Sequence, residues 1–154
     1  MMRTIAAFGA TAAMFIALDF CWLSTMSPTV YQDEIGPLLL AHPRMGAAVL
    51  FYLIYLVGVV VFVVNRALEQ RSLRTAAVLG ALFGVVAYAT YDLTNLATLE
   101  GFTVRLAVID MIWGAVVTAS AASVGYLAAS RVSVQSSTRT RPTGQGAGRP
   151  VGAA

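Results

Sequence analysis

Lysine is absent from this chain, histidine and cysteine occur once each, and charged residues of any kind make up only 11% of it. Each shortage excludes something. The single Cys21 rules out an internal disulfide and a Cys-x-x-Cys redox or metal motif, and with the lone His42 no zinc-ligand spacing can be assembled. Neither a metal nor a cofactor is expected. Soluble domains carry about 25% charged residues, so 11% charge beside 58% hydrophobic residues and a mean hydropathy of +0.77 describes a chain built for lipid. Strict alternation of apolar and polar residues is also missing. That excludes the strands of a membrane barrel and leaves helices, the other structure that satisfies its own backbone in hydrocarbon.

What is present is apolar sequence in four runs, Thr4 to Ser27, Arg44 to Val64, Leu73 to Leu99 and Thr103 to Ser130. Each is bounded by charge or proline and is long enough to cross a bilayer at about 1.5 Å per residue. The expectation is an all-α, polytopic bundle of four transmembrane helices over residues 1–130, then a disordered tail at 131–154 rich in Arg, Ser, Thr and Gly. The start, Met1-Met2-Arg3 followed by apolar residues, resembles a signal peptide. Its apolar run continues through Asp19 and Trp22 to Met26, however, well beyond the roughly 7 to 15 residues of a cleavable core, and it reads as a retained first span. After Pro28, Thr29 and Gln32 have capping-box spacing, which leaves open a short interfacial helix or an irregular loop.

All ten basic residues are arginine. Arg3, the loop with Arg66, Arg71 and Arg74, and the tail with Arg131, Arg139, Arg141 and Arg149 fall on one side, and only Arg44 and Arg105 on the other. This bias predicts a multi-pass protein of the inner (plasma) membrane with both termini cytoplasmic. The lipid bilayer is then the first partner. The net charge of +3 is accounted for by a solvated tail, and no nucleic-acid partner is expected.

Three aspartates, Asp19, Asp92 and Asp110, lie inside the apolar runs. An ionised carboxylate near mid-bilayer costs about 2.5 to 3.5 kcal/mol on insertion scales, whereas an interhelical hydrogen bond returns on average about 0.6 kcal/mol. Counted from the outer helix ends, all three fall in one layer roughly 8 to 12 Å deep. On the third run Gly80, Gly84, Tyr88, Tyr91, Asp92 and Asn95 share a face, so tyrosine, Asn95 and Thr94 donors are expected to satisfy Asp92. On the fourth, Asp110 heads a small-residue stripe of Gly114, Thr118, Ala122 and Gly125. Asp19 aligns with Phe15, Trp22 and Met26 on the first. Asp19-x-x-Trp22 and Asp110-x-x-Trp113 echo each other in helices of opposite direction, a short match for which chance is the favoured explanation. Arg105 is expected to reach toward the acids or to snorkel outward, and Cys21 to be a small buried hydrophobe.

These residues suggest a ligand-binding site of Asp19, Asp92, Asp110, Asn95, Tyr88, Tyr91, Trp22 and Trp113, with no catalytic residue assigned. The leading expectation is an outward-facing acidic and aromatic pocket that binds or moves a small cation, a proton or an amine-bearing solute. Two other classes compete with it. One is a structural or partner-binding subunit, including a homodimer through the Gly80/Gly84 or Gly114 faces, and the other is an intramembrane enzyme using paired carboxylates.

At LDFCWL (Leu18 to Leu23), FYLIY (Phe51 to Tyr55), GALFGVVAYATYDLTNLATL (Gly80 to Leu99) and the Asp-x-x-Trp-Gly run from Asp110 to Gly114, the chain resembles a bacterial family. It is similar, over about Met1 to Ala129, to the predicted membrane proteins grouped as "domain of unknown function 2177". The resemblance implies a small multi-helix membrane protein and carries no activity with it.

Overall fold

A computed structural model describes residues 2–40 and 42–139, and among these it contains helices and no strand. Helix α1 (Met2–Met26) passes through a π-helical turn (Ser27–Tyr31) into the short α2 (Gln32–Ile35) and a 3-10 turn (Gly36–Leu38). The second span is α3 (Met45–Gly58), a second π-helical stretch (Val59–Val64) and α4 (Asn65–Gln70). Helices α5 (Leu73–Thr98) and α6 (Val104–Arg139) are the last elements among the described residues. Four of these units, Met2–Leu38, Met45–Gln70, Leu73–Thr98 and Val104–Val132, are long and apolar enough to cross a membrane. The expected tail overlaps α6, which runs to Arg139, and its remainder at 140–154 lies outside the described residues.

Local chemistry explains the helix ends. Ser72 caps α5 by accepting from the Thr75 N–H at 3.1 Å, and Thr103 caps α6 by accepting from the Leu106 N–H at 3.2 Å. Arg71 takes the left-handed conformation (φ 50°) that ends α4. The expected break after Met26 does not form. Pro28 removes one backbone donor, and the chain widens into a π turn there instead of stopping. The hydroxyls of Ser24, Thr25 and Thr29 donate back to the carbonyls of Phe20, Cys21 and Thr25 at 2.7 to 2.9 Å, supplying partners through the distorted stretch. Thr29 is thereby committed to Thr25, and the N-cap position of α2 falls to Tyr31, without a side-chain bond. The short helix is a continuation of the first span.

Helix α6 sits at the centre, with α5 packed along one side and α1 along the other. Its small-residue stripe is buried as expected. A Cβ on Gly84 would run into the backbone carbonyl of Gly114, one on Gly80 into Thr118 and Ala119, and one on Gly125 into Thr11 of α1. These glycines are therefore used up inside the bundle. The homodimer expected through the Gly80/Gly84 or Gly114 faces has no such face to use, because van der Waals contact between α5 and α6 already covers it. The second span is buried over one half only. Val59, Val60, Val63, Val64, Ala67 and Leu68 pack into the core, whereas nothing between Met45 and Ile54 is fully buried. A smaller cluster of Ile35, Phe102, Leu106 and Ala107 pins the 32–38 segment over the arginine-poor end of the bundle. Glu34 fastens it further, accepting from the Thr103 hydroxyl and from Arg105 Nη1 at 3.1 Å.

The Gly84 contact yields a clear comparison. Gly84→Ala is expected to lower thermal stability by about 1 to 3 kcal/mol through overpacking against Gly114. Gly9→Ala, whose Cβ meets nothing within 4 Å, is expected to be neutral or stabilising by up to about 1 kcal/mol. Unfolding of the purified protein in detergent measures both, and equal effects would refute the packing account.

Candidate functional site

Helices α1, α3, α5 and α6, roofed by the 32–39 segment, enclose a cavity of about 530 Å³ toward the arginine-poor end. Of the residues expected to form a site, Asp19, Trp22, Tyr88, Tyr91, Asp110 and Trp113 line it. Most of the remaining wall is apolar: Leu23, Ile35, Leu39, Phe51 and Ala87. Asp92 and Asn95 are not part of the wall.

The centrepiece is a pair of indoles. Trp22 of α1 and Trp113 of α6 stack with ring centroids 4.3 Å apart and planes within 5°. The Asp-x-x-Trp echo is therefore a physical pairing, since the two motifs meet through their tryptophans across antiparallel helices. This has a geometric consequence for the acids. Asp19 precedes Trp22 on a helix running toward the arginine-poor end, and Asp110 precedes Trp113 on one running away from it. They consequently flank the stack on opposite sides, separated by about 9 Å along the axis at 1.5 Å per residue. The single layer expected from counting depths resolves into two levels, with Asp110 near the roof and Asp19 deeper.

Each level has its own tyrosine. The Tyr31 hydroxyl donates to Asp110 Oδ1 at 2.5 Å while accepting from the Trp22 indole N–H at 3.2 Å, so a chain of donors runs from Trp22 to Asp110. The Tyr52 hydroxyl donates to Asp19 Oδ2 at 2.5 Å. Asp19 is 8% and Asp110 5% exposed, so both are held in a low-dielectric wall by a single neutral donor. The other oxygen of each makes no hydrogen bond. Trp113 adds a buried indole N–H with no hydrogen-bond partner. Below Asp19, Tyr55 donates to the Thr118 hydroxyl at 2.6 Å, because Thr118 spends its own proton on the Gly114 carbonyl at 2.6 Å. The Tyr88 ring lies directly over Gly114, where any Cβ would collide with it.

Sequence spacing missed Tyr31 and Tyr52. Tyr31 was assigned to an outer loop, and only the uninterrupted helix through Pro28 turns it back toward α6. Tyr52 sits in an apolar stretch whose periodicity marks no polar face. The donors expected around Asp92 go elsewhere: the Thr94 hydroxyl bonds the Thr90 and Tyr91 carbonyls, and Tyr91 packs edge-on against Phe102. Asp92 is fully buried, neither oxygen has a hydrogen-bond partner, and it lies within electrostatic range of Asp110. The satisfied network expected there is not formed, because the glycine contact fixes the rotation of α5 and aims Asp92 into the α5–α6 seam. Arg105 is engaged by Glu34. Cys21 is exposed on the outer side of α1, two residues beyond the cavity-facing Asp19 and rotated away from it, contrary to the burial expected.

The tyrosine–carboxylate pairs are separable by double-mutant cycles. Tyr31→Phe is expected to destabilise by about 1 to 3 kcal/mol, since it orphans both the Asp110 oxygen and the Trp22 N–H. The cycle of Tyr31→Phe with Asp110→Asn should show coupling of about 0.5 to 3 kcal/mol, and that of Tyr52→Phe with Asp110→Asn near-additivity. Thermal unfolding supplies all the terms, and coupling in the crossed pair alone would refute the assignment.

Comparison with curated proteins and with solved structures found no match. Residues 4–127, most of the chain, match the family model described as predicted membrane protein (DUF2177), and the chain belongs to that family.

Proposed function

We propose that this membrane protein binds a small amine-bearing cation in the cavity, with its ammonium bonded to the Asp110 carboxylate and attracted by Asp19 one level deeper. The observation that carries the reading is the combination in one cavity of two almost fully buried carboxylates with a wall of tryptophan and tyrosine rings. A carboxylate in a low-dielectric wall attracts a cation more strongly than one in water. The faces of Trp22, Trp113 and Tyr88 add cation–π attraction of about 0.5 to 2 kcal/mol. A cavity of about 530 Å³ falls within the roughly 300 to 1,000 Å³ of small-molecule sites. Binding is favoured over passage, since Phe15, Tyr55 and Val59 fill the bundle beyond Asp19.

In this reading the arginine-rich end faces the cytoplasm, both termini lie inside the inner membrane's cytoplasmic face, and the cavity is reached from outside. Single cysteines test the orientation. In a Cys21→Ser background, Glu100→Cys is expected to react with a membrane-impermeant maleimide on intact cells, and Gln70→Cys only after permeabilisation. The reverse pattern would overturn the topology.

The chain's two tryptophans both line the cavity, so intrinsic fluorescence reports ligand binding directly. Butylammonium is expected to give a saturable change that butanol does not. Asp110→Asn should weaken it by about tenfold or more, corresponding to about 1.4 kcal/mol for a charge-assisted hydrogen bond, and Asp19→Asn, which acts through its field alone, by a smaller factor. Asp33→Asn, on the roof segment outside the cavity, should leave it unchanged. A response shared by butanol, or retained in full by both cavity variants, would sink the proposal.

A further inference from the structure

Part of the cavity's wall lies on the outer flank of the bundle. Its axial end is roofed by the 32–39 segment, pinned through Ile35 on Phe102 and Leu106 and through Glu34 on Thr103 and Arg105. Its side is a gap between α1 and the first half of α3. Three residues that line the cavity, Leu23, Leu39 and Phe51, are also 40 to 50% exposed on the flank of the bundle. The second span packs mainly through its valine-rich half, whereas no residue from Met45 to Ile54 is fully buried and Tyr52, through Asp19 and Phe15, links that stretch to α1. With the four helices crossing a membrane, this flank faces lipid, and only three apolar side chains stand between it and the cavity.

We propose that the ligand is an amphiphile with a protonated amine and a single alkyl chain, taken from the leaflet at the arginine-poor end through this opening. The proposal rests on the amine-binding reading above and specifies its ligand. The ammonium sits at Asp110 beside the Trp22–Trp113 stack, and the chain leaves across Phe51, Leu23 and Leu39 into lipid. Charge selects the headgroup. The cavity presents carboxylates and no arginine, because Arg105 is engaged by Glu34 outside it, so an anionic or phosphate-bearing head would meet like charge. The apolar flank selects the chain, whose burial against protein and lipid leaves no methylene in water.

The test uses the full-length protein in nanodiscs of phosphatidylcholine and reads quenching of the two tryptophans. Octadecylamine brominated at mid-chain is the probe, and octadecanol brominated at the same carbons controls for unspecific quenching from the bilayer. The amine is expected to quench at about tenfold lower mole fraction than the alcohol, the factor expected from one charge-assisted contact. The excess should vanish in Asp110→Asn. It should shrink in Phe51→Ala, on the outer flank of the wall, by a larger factor than the butylammonium response does, because the four-carbon probe covers less of that wall. Equal quenching by amine and alcohol while butylammonium still binds overturns the lateral route and leaves amine binding standing, and the same result follows if a second protein chain covers the opening. Loss of the butylammonium response as well overturns both readings.

Discussion

The close approach of α5 and α6 at Gly84 and Gly114 is the constraint on which the rest of the site depends. The backbones come so near that neither glycine has room for a methyl group, and this fixes the rotation of both helices about their axes. With the rotation fixed, Tyr88 lies on Gly114, Asp110 falls one turn above it, and Asp92 points into the seam. Gly125 repeats the contact on the other side of α6 with Thr11, and so sets α1 and the facing Trp22. Association of helices in lipid has little hydrophobic driving force, so contacts of this closeness decide where the polar residues end up.

Sequence patterning captured those parts of the fold that follow from periodicity within one helix. The four spans, the buried stripe of Asp110, Gly114, Thr118, Ala122 and Gly125, and the inward side of α1 with Phe15 and Asp19 all obey 3.6-residue spacing, and the structure has them. The parts it missed are relations between helices. Equal counted depths for Asp19 and Asp110 ignored the axial offset that follows when Trp22 stacks on Trp113 across antiparallel helices. Tyr31 was invisible because proline reads as a stop. A π turn lets a helix survive a missing donor, and nothing in a propensity scale distinguishes the two outcomes at Pro28. The homodimer face failed for a related reason, since a GxxxG pattern marks a close helix contact without saying whether the partner lies in the same chain.

The polar groups are distributed unevenly, and the unevenness is informative. Each cavity acid has one tyrosine donor, which stabilises the carboxylate without adding positive charge. Pairing with arginine would have satisfied the acids more fully and cancelled their field. Arginine was within reach in the sequence, five residues from Asp110, yet Arg105 lies on the surface with Glu34. The other ion pair among the described residues, Arg66 with Glu69, is at the opposite end of the second span.

Among the described residues no arginine pairs with the acids of the cavity, and the proposed ligand is the group that would complete them. A carboxyl kept only to bridge helices gains most when both oxygens are bonded, as the backbone and hydroxyl groups of Thr118, Tyr55 and Gly114 are in the layer below. Asp19 and Asp110 instead keep an unbonded oxygen beside an open volume, and Asp92 keeps two in the seam behind them. Three incompletely satisfied acids in the same half of a bundle concentrate negative potential there. The aromatic walls preserve it, because rings exclude water while presenting an electron-rich face. Carboxylates in such surroundings are costly in lipid unless a cation or a proton completes them, and the amine proposed for the cavity of about 530 Å³ is a cation that would do so.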